Sequence, residues 1–346
     1  MVTKCFCSVS SPQGRQWVKG NAIGAGSFGV VNLAMNTSNG ELFVVKSALS
    51  GIQLRALENE ANVLKNLDSP HVVRCLGHEL SDEKNGEEKF HLFMEYMAGG
   101  SLSDICEKFG NVLDESVVRL YTKEILLGLD YLHQNGIVHC DLKCKNVLLG
   151  SNGNIKLADF GCAKRLPEDI DNVSWQTICG TPLWMAPEVL RNEKLDFASD
   201  IWSLGCTVIE MATGSPPWGK DISNPMAVVM KIACSNELPA FPTNFSKEGL
   251  DFLYKCFQRD PKKRCTTQEL LCHPFITGEK SEKVVVSSPA SVLDVGLCES
   301  DYDSDGSDCS KESLTKVPFS TRQKKRQKRE EDMVVPSDNW ITVRSV

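Results

Sequence analysis

The sequence predicts an α+β protein of two unlike lobes, a small one rich in strand with one key helix and a larger one mainly helical, followed by a disordered C-terminal tail. Three observations carry this. From residue 17 to about 97 the chain reads as apolar strands separated by turn signals, with one helical stretch among them. From about 98 to 275 helical periods dominate. From 281 to 332 Ser, Asp, Lys and Glu crowd out aromatics, the composition of a segment too poor in apolar surface to order itself.

In chain order, residues 1–16 form a short extension, 17–97 the first lobe, 98–275 the second and 276–346 the tail. "WVKGNAIG", "VVNLAMN" and "LFVVKSAL" are strand-like, the last two joined by "TSNGE", a strong turn signal. "GIQLRALENEANVLKNLDSP" is a helix over 51–67, closed before Pro70. "DESVVRLYTKEILLGLDYLHQNG" is a helix capped by Asp114 and stopped at Gly136. In "IVHCDLKCKNVLL", residues 137 to 149, the apolar ends read as short buried strands around a polar loop. "DIWSLGCTVIEMATG" is apolar nearly all round and reads as a helix buried in the core.

Composition narrows the function. The chain has 346 residues, 41% of them apolar and 24% charged, with a net charge of −7 and a pI near 5.5, so nonspecific nucleic-acid binding by the whole chain is not expected. The N-terminus lacks an apolar stretch of signal-peptide length, so the 15 Cys are expected in a reducing compartment as small buried hydrophobes, not as a disulfide framework. Paired C-x-x-C knuckles with His at ligand spacing are lacking, which argues against zinc. Cys5 and Cys7 are candidates for palmitate, whereas Val2 excludes myristoylation. No run approaches the ~18 apolar residues of a membrane span, and a soluble protein is expected.

"GAGSFGVV", residues 24 to 31, fits G-x-G-x-x-G. A dinucleotide-binding turn must open a helix, but here a strand follows; a P-loop needs a Gly-Lys-Ser/Thr that is missing. A phosphate-covering hairpin and a merely flexible turn remain. Lys46 ends the apolar run "LFVV", where an unpaired ammonium is costly. It either snorkels to water or meets an acid from the helix at 51 to 67. Glu60 shares a face with Leu64 and Leu67, whereas Glu58 aligns with Asn62 and Lys65, so Glu60 is the candidate partner.

"HCDLKCKN" fits His-x-Asp-Leu-x-x-x-Asn, "ADFG" follows, and Ala186-Pro187-Glu188 lies downstream in "TPLWMAPE". With Gly24, Gly26, Gly29, Val31, Lys46 and Glu60 before them, and Asp200 and Arg264 after, these motifs make residues 17–275 resemble a eukaryotic-type protein kinase. The resemblance implies a bilobal protein kinase fold with ATP and Mg2+ between the lobes. It implies a catalytic set of Asp141, Lys143, Lys46, Glu60 and Thr181. Asp141 would accept the proton of the attacking hydroxyl and Lys143 would neutralise the moving phosphoryl group. Lys46, oriented by Glu60, would grip the α/β-phosphates, and Asn146 and Asp159 would be the metal ligands, hard oxygen donors of the kind magnesium prefers.

The nucleotide site so implied begins with the glycine loop, Ile23, Gly24, Ala25, Gly26, Ser27, Phe28, Gly29 and Val31. Val44 and Lys46 follow, then Met94 as gatekeeper, Glu95 and Met97 as hinge, and finally Ser101, Asn146, Leu148 and Asp159. Val44, where the family usually has Ala, would narrow the adenine end slightly. Lys143 and Thr181 match the Ser/Thr-specific pattern. "GCAKR", "GTPLWMAPEVL" and "NLDSPHVVRCLG" resemble MAP kinase kinase kinases, above all the short plant MEKK-like kind, whose protein substrate would be a MAP kinase kinase. A Ste20-like upstream kinase and a pseudokinase scaffold are the competing readings.

Cys140 departs from the family, which carries there an Arg that pairs with an activation-loop phosphate; a thiol supplies no bidentate cation. Weak dependence on phosphorylation at Ser174 and Thr177 is therefore expected. Cys162 reads as a packing residue. In the tail, the basic run 322–329 is a candidate nuclear import signal, which implies residence in cytoplasm and nucleus, and Ser288-Pro289 a candidate phosphorylation site.

Overall fold

The computed structural model describes residues 17–26, 29–48, 51–82, 88–166, 179–219 and 224–278. Ser27, Phe28, Ser174, Thr177, Cys5, Cys7, Ser288 and the basic run lie outside them.

Strands β1 (Trp17–Gly26), β2 (Gly29–Asn36), β3 (Leu42–Ala48), β4 (Cys75–Asp82) and β5 (Glu88–Glu95) form an antiparallel sheet in the order β1-β2-β3-β5-β4. The "TSNGE" turn closes β2 onto β3: the Asn36 carbonyl accepts from Gly40 N–H (2.8 Å) and the Asn36 side chain from Ser38 N–H (2.9 Å). Strand alternation sorts β3 into two faces. Val45 joins Ala34 and Phe93 beneath Trp17 and Phe43 on one face, whereas Val44 and Ala48 join the main core with α1 (Gly51–Leu64) on the other. Lys46 has the parity of Val44 and Ala48, so the pleat aims it at α1 and the interior.

Helix α1 ends at Leu64, short of the expected Leu67. Leu67 still reaches the core, but through a turn in which its N–H bonds the Leu64 carbonyl, and the next amide, Asp68, goes to the Tyr131 hydroxyl (2.9 Å).

The second half is built from α2 (Leu102–Lys108), α3 (Glu115–Gln134), α4 (Pro187–Leu190), α5 (Ala198–Thr213), α6 (Pro225–Cys234), α7 (Lys247–Cys256), α8 (Thr267–Leu271) and α9 (Pro274–Thr277). Asp114 stands at the N-cap of α3 without making a side-chain cap bond. The α5 helix is buried on almost every side, as its composition requires, and its Trp202 meets Phe257 edge-on at 4.9 Å. Two small sheets brace the front of this half. One pairs β7 (Ile137–Val138) with β10 (Lys164–Arg165), and the other orders β6 (Gly100–Ser101), β8 (Val147–Leu149) and β9 (Ile155–Leu157) as β6-β8-β9. No helix among the described residues is long and apolar enough to cross a membrane.

Candidate active site

The loop from His139 to Asn146 is pinned at both ends by β7 and β8, and from below by α5. Asp200, fully buried near the start of α5, accepts from His139 N–H (2.9 Å), Cys140 N–H (3.0 Å) and the His133 ring (3.0 Å). Burial pushes its carboxyl up, but His133 and the amide donors more than offset this and hold it below the usual carboxylate range. These bonds sustain Cys140 at φ +66°, a left-handed conformation costly for a non-glycine residue. His139 accepts from Asp141 N–H at Nδ1 (3.3 Å) and faces the Ala158 carbonyl with Nε2 (3.1 Å), which assigns the proton to Nε2.

Asp141 is thereby turned to the front of the loop, where its neighbours surround it. Oδ2 accepts from Lys143 Nζ (2.9 Å) and Asn146 Nδ2 (3.0 Å), and Oδ1 from Thr181 Oγ1 (2.6 Å). Lys143 also donates to Thr181 (2.5 Å). Asn146 spends its nitrogen on Asp141, which leaves its oxygen as the acceptor for a cation.

A second cluster forms where β3, α1 and the Asp159 turn meet. Lys46 Nζ lies 2.6 Å from Glu60 Oε2 and 2.7 Å from Asp159 Oδ1. Glu60 faces inward as its helix face demands, and Glu58 is exposed. Burial drives the ammonium toward neutrality, yet the two carboxylates outweigh it and the Lys46 pKa is raised. Two carboxylates around one ammonium leave an excess negative charge, and the buried Glu60 carboxyl is held above the usual carboxylate range. Burial pushes its carboxyl up, Asp159 adds to that, and Lys46 opposes. Glu60 also accepts from Phe160 N–H (3.2 Å), while Asn59 of α1 donates to the carbonyls of Phe160, Gly161 and Ala163 (3.2, 3.2 and 2.9 Å). The Phe160–Cys162 turn is therefore tied to α1.

Between the clusters and the sheet lies a cavity of about 310 Å³. Every sequence-predicted nucleotide-site residue among those described lines it: Ile23, Gly24, Ala25, Gly26, Gly29, Val31, Val44, Lys46, Met94, Glu95, Met97, Ser101, Asn146, Leu148 and Asp159. A Cβ on Gly26 would meet no atom of the other described residues within 4 Å, whereas one on Gly29, at φ +130°, would strike Ser47 O at 2.5 Å. At the apolar end, the Glu95 carboxylate is engaged by Lys156 (2.6 Å) and Arg74 N–H (2.6 Å), which leaves recognition there to backbone. Sequence reasoning missed Val73, Tyr96, Gly100, Asp104, Lys145 and Ala158 on this wall. Tyr96 stands between the hinge residues Glu95 and Met97, Lys145 and Ala158 lie inside "HCDLKCKN" and "ADFG", and Asp104 answers Ser101 in a capping box, whereas nothing in "NLDSPHVVRCLG" points Val73 at the cleft. Among the described residues no cluster of three or more His, Cys, Asp and Glu forms a metal cage. Asn146 and Asp159 alone suit magnesium, which keeps several waters.

Downstream, Gly180 at φ +125° passes so close to the catalytic loop that a Cβ would lie 2.5 Å from Cys140 O. Trp184 donates to Glu210 of α5 (3.0 Å), which also accepts from Cys144 N–H (3.2 Å); burial pushes that carboxyl up. Glu188 forms a bidentate buried pair with Arg264 (2.6 and 3.1 Å). The reading of Cys162 as a packing residue is corrected: it is disulfide-bonded to Cys179, with Cα atoms 5.4 Å apart. Spacing alone cannot reveal a pairing across 17 residues of a Cys-rich chain.

A cleft between sheet and helices, with Lys–Glu–Asp on one wall and Asp–Lys–Asn–Thr on the other, defines a phosphoryl-transfer class of protein. The match extends over residues 17–276 to the protein kinase domain family, and the chain belongs to it. More particularly, it is similar to mitogen-activated protein kinase kinase kinases of Arabidopsis thaliana. With number 17 it shares 43% identity over 287 residues, 81% of this chain and 76% of the relative. With number 18 it shares 42% over 287 residues, 80% of this chain and 83% of the relative. With number 3 the identity is 43% over 277 residues, 77% of this chain but only 42% of that longer protein.

Proposed function

We propose that the protein transfers the γ-phosphoryl group of ATP to Ser or Thr hydroxyls, and that it acts as a MAP kinase kinase kinase on a MAP kinase kinase. The observation that carries the chemistry is the Asp141–Lys143–Thr181 triangle facing the Lys46–Glu60–Asp159 cluster across one cleft. Phosphoryl transfer asks a protein for positioning and charge neutralisation, and little covalent work. Lys46 is fixed by two carboxylates and so presents a directed cation to phosphate oxygens. Asp159 and Asn146 are the residues that would hold magnesium, which supplies further neutralisation of the triphosphate. Asp141 accepts the proton of the incoming hydroxyl, while Lys143, 2.9 Å from it, faces the charge that develops on the moving group. Thr181 occupies one oxygen of Asp141 and one donor direction of Lys143, and so sets the direction both groups face. The substrate class rests on the likeness to the Arabidopsis kinases and on the Lys143–Thr181 pair.

The test is incorporation of labelled phosphate into a catalytically inactive MAP kinase kinase, by this chain and by its Asp141→Asn variant. Transfer by the native chain and near-loss in the variant is expected; equal incorporation would mean a scaffold that recruits another kinase. Transfer to a MAP kinase kinase kinase instead would move the protein one tier up, to the Ste20-like role. Residence in both cytoplasm and nucleus is part of this reading and rests on the basic run 322–329. Imaging a fusion lacking 316–332 tests it, with loss of nuclear signal expected.

A further inference from the structure

We infer that Cys162 and Cys179 are a redox modification site, and that their oxidation by a hydroperoxide locks the arrangement in which the protein phosphorylates protein substrates. This rests on the kinase reading above.

The two cysteines stand apart from the other described thiols in what they join. Cys206 and Cys256 are buried in the helical core, where burial pushes their thiols up and keeps them inert. Cys162 ends the Phe160–Cys162 turn, whose carbonyls are held by Asn59 and whose first amide is held by Glu60. It therefore moves with α1 and the Lys46 cluster. Cys179 lies two residues before Thr181, whose hydroxyl sits on Asp141 and Lys143. The bond between them is a covalent tie from the phosphate-gripping wall to the hydroxyl-accepting wall.

With that tie in place, both clusters are fully assembled. Cutting it would leave the Lys46 cluster with its own anchors, Asn59 and Glu60, but would free the approach to Thr181. Gly180 beside it has no side chain with which to hold on, and what it packs against is the Cys140 backbone carbonyl. The consequence falls on protein-substrate turnover, not on nucleotide grip. In a reducing compartment, disulfides are of the transient, sensing kind.

The chemistry is balanced without a cofactor. Cys179 is partly exposed and Cys162 buried, so Cys179 meets the oxidant first. Its thiolate attacks one peroxide oxygen, the O–O bond breaks, and the product is a sulfenic acid plus water or alcohol. The Cys162 thiolate then attacks the Cys179 sulfur, the S–S bond forms, and hydroxide leaves as water on protonation. Two electrons have passed from two thiols to the peroxide. A dithiol reverses the step through a mixed disulfide.

The experiment uses the full chain, treated with hydrogen peroxide or with dithiothreitol and then desalted. Non-reducing peptide mapping is read alongside steady-state kinetics on a protein substrate. The oxidised form is expected to yield the linked Cys162–Cys179 peptide and a kcat about tenfold above the reduced form, with KM for ATP changed by no more than about twofold. Dithiothreitol reverses both changes. Cys162→Ser and Cys179→Ser each stay at the reduced rate under either treatment, and two separate variants guard against a folding defect in one. Absence of the linked peptide, an oxidised form no faster than the reduced one, or a peroxide response retained by Cys179→Ser would each overturn the inference. Failure of every form to phosphorylate protein would instead contradict the kinase reading, and the linked peptide, read by mass alone, would still decide whether the site exists.

Discussion

The Thr181 hydroxyl donates to Asp141 Oδ1 at 2.6 Å across 40 residues of sequence, and the same oxygen accepts from Lys143 at 2.5 Å. One small side chain thus connects the segment proposed to receive a substrate with the two residues proposed to act on its hydroxyl.

Replacing Thr181 by Ala removes this link without touching the nucleotide. Thr181→Ala is expected to lower kcat by about 10²-fold with KM for ATP nearly unchanged. Thr181→Ser, which keeps the hydroxyl, should recover most of the rate. Steady-state kinetics at varied ATP checks both, and a Ser variant as poor as Ala would contradict the role given to the hydroxyl.

Glu60 orients Lys46 from a fully buried position. Glu60→Gln preserves volume but removes the charge, so Lys46 turns to Asp159 alone. A loss of about tenfold in kcat/KM for ATP is expected, with a melting temperature close to that of the native chain. Unchanged kinetics would mean that Asp159 suffices to place the ammonium.

Asp200 makes a pH-dependent contribution whose sign is fixed by its depressed pKa. The folded state holds its carboxylate more tightly than the unfolded chain does. Its stabilisation is therefore full above the ordinary Asp value of about 3.9 and disappears as pH falls through the lower folded value. Asp200→Asn should cost about 1.5–3 kcal/mol at pH 7, the worth of hydrogen bonds to a charged acceptor. Urea unfolding of both chains should show that gap narrowing as pH drops below about 4; a gap constant with pH would rule the carboxylate out as its source.

Arg264 and Glu188 form a pair sealed from solvent. Arg264→Met strands a buried carboxylate and should cost about 3–5 kcal/mol. Removing both charges in Arg264→Met/Glu188→Leu should recover part of that loss, although the Gln258 and Ala198 carbonyls also lose a donor. A double variant less stable than the single one would show that the pair is held for more than charge balance.

Much of this site was legible in the sequence because periodicity fixes direction. Helix phase selects Glu60 over Glu58 as the acid for Lys46, whereas the choice between snorkelling and pairing is settled only by the pleat of β3, which turns Lys46 toward α1. The polar loop between two apolar strands likewise signals groups that need partners. What stayed hidden depends on distant residues meeting. Asn59 holding three carbonyls and Glu210 bridging Trp184 to Cys144 have no local signature. Val73 lines the cleft from a loop whose amide is held by the Leu157 carbonyl, far along the chain. Helix α1 stops short of the expected end, Leu67 N–H turning to the Leu64 carbonyl and Asp68 N–H to the Tyr131 hydroxyl far along the chain.

The central claim, that Lys46 and the Asp159–Asn146 oxygens hold a magnesium-bound triphosphate, is tested most directly by calorimetric titration of the purified chain with ATP, with and without Mg2+. Saturable binding that strengthens with the metal and is lost in Asp159→Asn is the predicted result; a folded protein that takes up no nucleotide in either condition would contradict it.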